Sequence, residues 1–241
     1  MTAVDVVIYG IGGILAYLLG ATPFGLLAGL VLKGVDIREH GSRNIGATNA
    51  MRVLGRPIGI AVHVLDIAKG TVASFVLAHL AARGRADLVP ALGIAYGLAA
   101  ILGHVFPVYL RFRGGKGMAT SLGVFFGLAW LPTLIAGAIW LGVKKASRYV
   151  SVASMAAVGS IPVAMALVPD PLHGGARTWS KPELIGFGIA VAILVIVRHK
   201  SNIVRLIQGT EHKVGERAGV ASGGTTGDQK ADTPCPTSDH P

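Results

Sequence analysis

Cysteine occurs once in the chain, at Cys235, which excludes an internal disulfide and a cysteine-based metal site. Charge is scarce too: Asp, Glu, Lys and Arg make up 14 % of the residues, against about 25 % in soluble domains. With 52 % apolar residues, that balance points to a protein dissolved in lipid. The scarce charge is also one-sided, with 22 Lys and Arg against 12 Asp and Glu and a formal net charge of +10. Such an excess suits an anionic membrane face, an anionic substrate or nucleic acid. Nucleic acid is not expected, because no basic run is interleaved with stacking aromatics. Lys and Arg are missing before Lys33, so the first apolar run lacks the positive start of a cleaved signal and reads as a retained span. Its basic residues follow it, which predicts an outside N-terminus. A His-x-x-x-x-Asp pairing, a Gly-x-Ser-x-Gly elbow and a metal-spaced His/Asp/Glu cluster are all absent from the sequence. Neither a dedicated triad nor a metal is expected, and no cofactor.

What is present is a series of apolar segments at 4–32, 57–82, 88–110, 150–169 and 182–197, with an ambiguous stretch at 118–143. Glycine (34) and proline (12) are frequent, as in closely packed or broken membrane helices. Charge favours one reading of the ambiguous stretch, and two half-depth helices covered by protein would also satisfy its backbone. A single crossing would put Lys144, Lys145 and Arg148 outside, whereas a hairpin turning near Leu131–Pro132 returns them inside. The hairpin gives seven segments, with Arg83, Arg85, Arg177 and Lys181 outside and the other 18 of the 22 basic residues inside. This is the asymmetry that positive-inside orientation requires. The predicted architecture is thus an all-α polytopic helical bundle of about seven transmembrane segments, N-terminus outside and C-terminus cytoplasmic. Residues 1–214 form the membrane domain. Residues 215–241, rich in Gly, Ser, Thr, Asp and Pro, are expected to be a disordered cytoplasmic tail.

Three inner-face segments carry the chemistry. The first, GSRNIGATNAMR (41–52), gathers Ser42, Asn44, Thr48, Asn49 and Arg52 among small residues, an inventory that suits a polyoxygenated anion. A solvated turn leading into a helix is the plainer reading. The second is Gly-Gly-Lys-Gly, with Gly114, Gly115 and Gly117 around Lys116 and with Arg111 and Arg113 before it. Glycines let backbone N–H groups approach an anion, and the lysine adds a full charge. It is not a nucleotide P-loop, since Leu110 replaces that motif's first glycine and Gly117 stands where Ser or Thr would hold magnesium. A basic connector snorkelling to lipid headgroups is the alternative. The third pairs Ser151 and Ser154 with RHKSN (198–202), where Arg198, His199 and Asn202 lie within about one helical turn. At membrane depth, Asp66 and Lys69 are three apart and able to pair, while His104 ends a span as a candidate structural histidine.

The segments GSRNIGATNAMRVLG, DIAKG (66–70), GHVFPVYLRFRGGKGMAT, YVSVAS (149–154) and RHKSNIVRLIQGTE (198–211) together resemble the bacterial acyl-phosphate:glycerol-3-phosphate acyltransferases. The resemblance covers nearly the whole chain to about residue 214. It implies a multi-pass bacterial inner-membrane enzyme with a cytoplasmic active site. The implied reaction moves a fatty acyl group from acyl phosphate to the 1-position of glycerol 3-phosphate, giving lysophosphatidic acid and phosphate in phospholipid biosynthesis. Functional coupling to an acyl-phosphate-forming acyltransferase is also implied. Carried over by motif, Ser42, Arg52, Lys116 and His199 are the expected catalytic residues. Substrate binding falls to Asn44, Thr48, Asn49, Gly114, Gly115, Gly117, Ser151 and Asn202, with Asp66, Lys69 and His104 in supporting roles. One departure is Arg43, where the family usually has glycine; if that position needs φ > 0, arginine costs about 1–2 kcal/mol.

An acyl phosphate is already activated, so the expected mechanism is positioning and charge stabilisation. No carboxylate stands near His199 in sequence; the expected proton acceptor is therefore a substrate phosphate, with His199 as binder. Ser42 and Ser151 are expected to hydrogen-bond and not to be acylated. The rival reading is a transporter or flippase for a phosphate-bearing anion. Transporters favour midplane sites in related halves, whereas here the polar motifs lie at one face and no repeat is visible.

Overall fold

The computed structural model describes residues 2–214, and its regular elements are helices; among the described residues the one β-bridge joins Asp170 and Ala176. The expected tail and Cys235 lie outside the described residues. Among the described residues four helical segments are long and apolar enough to cross a membrane: Ala3–Ala21 (α1), Arg56–Ala82, Ala86–Leu110 and Val150–Leu167. A fifth arises if the bent pair Pro182–Arg198 and Lys200–Ile207 counts as one span. Their outward faces are bare: Val4, Val7, Ile11, Ile14, Leu80, Val163, Leu167, Ile193 and Val197 are exposed. Such a surface is stable against acyl chains and costly against water.

The first apolar stretch is not one element, contrary to the single run 4–32. It breaks after α1 at Thr22–Pro23, and α2 (Phe24–Lys33) follows. Pro23 has no N–H to give, and it holds Thr22 in the extended region, with φ −61° and ψ 116°. At the break the Thr22 carbonyl accepts from Phe24 N–H at 3.2 Å and from Lys69 Nζ at 3.0 Å.

The short α3 (Ala47–Val53) leads into α4 (Arg56–Thr71), a π-helical stretch (Val72–Leu77) and α5 (Ala78–Ala82). Next come α6 (Val89–Val105), α7 (Met118–Leu128) and α8 (Trp130–Ser147). Last are α9 (Val150–Leu167), α10 (Pro182–Arg198) and α11 (Lys200–Ile207). The stretch 118–143 divides at Ala129 (φ −152°, ψ 73°) and not at Leu131–Pro132. Pro132 instead sits in the first turn of α8, where its missing N–H would have had no helical partner.

Helices α4 and α7 meet backbone to backbone. A Cβ at Gly70 would run into the Thr120 carbonyl, and one at Gly123 into that of Ile67, the close approach that small residues permit in membranes. Thr71 Oγ1 donates to Gly123 O at 2.9 Å and Ser74 Oγ to Val124 O at 3.0 Å. This fixes the start of α7, hence the glycine turn before it, against the Asp66–Lys69 stretch of α4.

Candidate active site

A cleft of about 160 Å³ opens where α3, α4, α7, α8, α9 and α11 converge. It draws residues from all three inner-face segments, including Ser42, Asn44, Thr48, Asn49, Arg52, Lys116, Gly117, Ser151, His199 and Asn202, together with Asp66 and His104. Lys116 precedes α7 and Ser151 follows α8, so the α7–α8 hairpin returns the chain to the cleft from which it left. The inner wall, with Leu122, Ala136, Gly137 and Ala157, is apolar.

In the first segment the loop is held by its own side chains. Asn49 is buried and donates to Ile37 O at 2.8 Å and His40 O at 3.1 Å, while its Oδ1 accepts from Ser42 N at 2.8 Å. Both amide hydrogens are therefore engaged, and Asn49 positions Ser42 in addition to lining the cleft. Asn44 Oδ1 accepts from Gly46 N at 2.9 Å, a local turn that launches α3. Gly41 and Arg43 both have positive φ, 59° and 56°. The position where the family usually has glycine is thus left-handed, with the Arg43 side chain exposed to solvent.

The glycine turn is pinned from two sides. Gly114 N–H donates to Val105 O at 3.2 Å and Gly115 N–H to His104 O at 3.0 Å. Across the turn, the Arg198 guanidinium donates to the carbonyls of Gly114 at 3.4 Å and Gly115 at 3.2 Å. A Cβ at Gly115 would collide with the His104 ring, and Gly117 has φ 82°, so neither position accepts a side chain without strain. Gly114 and Gly115 do not line the cleft themselves; they shape the turn that presents Lys116.

Lys116 donates to Asn202 Oδ1. Burial pushes its ammonium down from the ordinary lysine value to about 8; Glu211 pulls it up, and Arg205, Arg52 and Arg198 add to the lowering. The third segment is organised by Glu211. Its Oε1 accepts from Ser151 Oγ at 2.8 Å and Asn202 Nδ2 at 2.5 Å, and its Oε2 from Arg205 Nε at 2.7 Å. Burial raises the Glu211 pKa, but these donors outweigh it and hold the carboxyl below the usual range. Sequence reasoning did not single out Glu211, although it closes the last of the matching segments; an isolated acid after a basic stretch is the signal available.

His199 stands at the junction of α10 and α11, which are bent by 55°. Arg198 and Asn202 consequently leave two different helices, not one shared face. His199 Nδ1 is 2.7 Å from Val195 O; a carbonyl only accepts, so Nδ1 carries the hydrogen and the neutral ring keeps its lone pair on Nε2. Beneath the turn, Lys69 Nζ meets Asp66 Oδ1 at 2.8 Å, His104 Nδ1 at 3.0 Å and the Thr22 carbonyl. The buried ammonium thus has an ion-pair partner in Asp66 and hydrogen-bond partners in His104 and the Thr22 carbonyl. Among the described residues no His/Cys/Asp/Glu group is arranged to hold a metal.

Residues 11–209 match the family model described as glycerol-3-phosphate acyltransferase. A relative of that name from Geobacter sulfurreducens is 44 % identical over 198 residues, covering 82 % of this chain and 93 % of the relative. Two crystal forms of PlsY, an integral membrane glycerol 3-phosphate acyltransferase, share the fold at 37 % identity. Its glycerol 3-phosphate form has a TM-score of 0.71 and covers 86 % of this chain and 96 % of PlsY. Its lysophosphatidic acid form has a TM-score of 0.70, with 86 % and 95 % covered.

Proposed function

The chain belongs to the glycerol-3-phosphate acyltransferase family, and we propose that it transfers a fatty acyl group from acyl phosphate to the 1-position of glycerol 3-phosphate. The acceptor hydroxyl oxygen bonds to the acyl carbon, the bond from that carbon to the phosphate oxygen breaks, and the hydroxyl proton leaves on phosphate. Lysophosphatidic acid and inorganic phosphate result. The observation that carries this reading is the meeting of Lys116, Asn202, Glu211 and Ser151 in a cleft that the apolar Leu122, Ala136, Gly137 and Ala157 also line. A phosphate seated at Lys116 leaves room for its acyl chain between α7, α8 and α9.

Two phosphate-bearing substrates repel each other. Lys116 and Arg52 offset that repulsion, the electrostatic term that dominates many such reactions. Ser42, Asn44, Thr48 and Asn202 orient the acceptor, supplying proximity. A substrate phosphate, with a second pKa of about 6, takes the hydroxyl proton, and His199 binds through Nε2. Retained acceptor affinity with a thousandfold loss of turnover in His199→Gln would reverse those two roles.

The protein is a multi-pass membrane protein, and we place it in the bacterial inner membrane with seven segments, counting α7 and α8 as a short hairpin. The N-terminus is outside, and the cleft faces the cytoplasm. The enrichment of Lys and Arg at the cleft end supports this orientation. The donor would come from an acyl-phosphate-forming acyltransferase.

The deciding experiment gives the purified protein labelled glycerol 3-phosphate with acyl phosphate, acyl-CoA or acyl-carrier protein. Lysophosphatidic acid is expected from acyl phosphate alone, and its formation should be strongly reduced by Lys116→Ala. Product from acyl-CoA would overturn the donor, and no product in a folded, inserted sample would favour transport.

A further inference from the structure

A second cleft of about 510 Å³ is lined by Arg38, Tyr109, Leu110, Arg111 and Arg113, none of which has a part in the acyl transfer above. Arg38 is tied to Asp36 by bonds of 2.6, 3.0 and 3.1 Å, which cancels one charge. Among the described residues the side chains of Arg111 and Arg113 make no hydrogen bond or ion pair. Two uncompensated guanidinium groups therefore face this cleft.

The backbone that presents them is strained and well anchored. A single 3₁₀ turn (Val108–Leu110) is followed by two consecutive left-handed residues, Arg111 (φ 50°) and Phe112 (φ 61°). Each costs about 1–2 kcal/mol for a non-glycine residue. Bonds from Phe112 N to Pro107 O at 2.9 Å and from Arg113 N to Leu110 O at 3.1 Å hold the shape. It turns apolar groups outward: Val108, Tyr109 and Phe112 are 44, 57 and 61 % exposed. An exposed Val–Tyr–Phe cluster at the end of a membrane helix is unfavourable in water and favourable at headgroup depth. That depth is also where lipid phosphates lie.

We propose that this cleft binds the phosphate of an anionic phospholipid headgroup, with Val108, Tyr109 and Phe112 seated in the surrounding interface. Arginine pairs with phosphate through two parallel N–H donors, and anionic headgroups draw basic residues to the cytoplasmic leaflet. A zwitterionic headgroup carries a cation beside its phosphate, which two free guanidinium groups repel. The proposal rests on the membrane setting and not on acyl transfer.

The test uses the full chain in mild detergent, offered equal amounts of phosphatidylglycerol and phosphatidylcholine with the same acyl chains. Lipid retained per protein is counted by native mass spectrometry. At least fivefold preference for phosphatidylglycerol is expected, falling to about parity in the Arg111→Gln/Arg113→Gln double variant. Equal retention by the natural protein, or an unchanged preference in the double variant, overturns the proposal. If the double variant fails to fold, the single variant Arg113→Gln must lower the preference at least twofold, and no change there is equally fatal. Lys116→Ala and Arg177→Gln are expected to keep the preference; its loss in Lys116→Ala would move the binding to the first cleft. Displacement of the lipid by millimolar inorganic phosphate would reassign the cleft to a free anion.

Discussion

Arg198, the last residue of α10, donates to the carbonyl oxygen of Gly115 at 3.2 Å, across 83 residues of chain. Its guanidinium also lies 5.6 Å from the centre of the Phe106 ring. The glycine turn is therefore shaped by a side chain from another helix. We expect Arg198→Gln to raise the acceptor KM about tenfold with a smaller fall in kcat, and Arg198→Lys to recover part of the loss. A drop in kcat alone, with KM untouched, would give Arg198 a role at the reacting atoms instead.

Gly115 has no room for a side chain, since the His104 ring occupies the place of a Cβ. Gly115→Ala should push the turn away from His104 and raise the acceptor KM by an order of magnitude or more. Gly137, with open space around its would-be Cβ, provides the control. Gly137→Ala should fold normally and leave the acceptor KM alone.

Lys116 supplies the charge nearest the proposed phosphate. Truncation to alanine removes a partly desolvated, charge-assisted contact worth about 2–4 kcal/mol, or roughly 30- to 1000-fold in kcat/KM. Steady-state kinetics with acyl phosphate read this directly, and a loss under threefold would exclude Lys116 from the site.

The lowered pKa of Lys116, about 8, has a pH consequence. The protonated ammonium is the active form, so kcat/KM should fall as pH rises through about 8, while protonation of the substrate phosphate, second pKa about 6, sets the acid limb. Arg52 lowers this pKa and Glu211 raises it. Arg52→Gln should accordingly move the alkaline limb to higher pH, and Glu211→Gln to lower pH. Shifts in the opposite directions would assign the limb to another group.

Arg43 holds a left-handed backbone with an exposed side chain. Arg43→Gly removes about 1–2 kcal/mol of strain and adds about 0.5–1 kcal/mol of unfolded-chain entropy. The net change in thermal stability should be zero to slightly positive, with activity intact. A clear fall in melting temperature would mean that the arginine makes a stabilising contact.

The sequence by itself determined the class of molecule and the residues that would meet. Sparse charge and long apolar runs require lipid, and the small polar residues of 42–52 and the Gly-Gly-Lys-Gly turn have the composition that suits an anion, because both follow from local composition. Spacing also indicated the Asp66–Lys69 pair, since residues three apart on a helix are neighbours. Only the tertiary structure decided where the helices break, at Thr22–Pro23, Ala129 and His199. A proline signals a break nearby, but whether it ends one helix or opens the next depends on packing. The centrality of Glu211, the grip of Arg198 on the glycine turn and the inward use of Asn49 were likewise set by the fold. Helical periodicity encodes neighbours three or four residues apart. It carries no record of which side chain will arrive from 60 or 83 residues away, and those arrivals fix the geometry and the charge of the cleft.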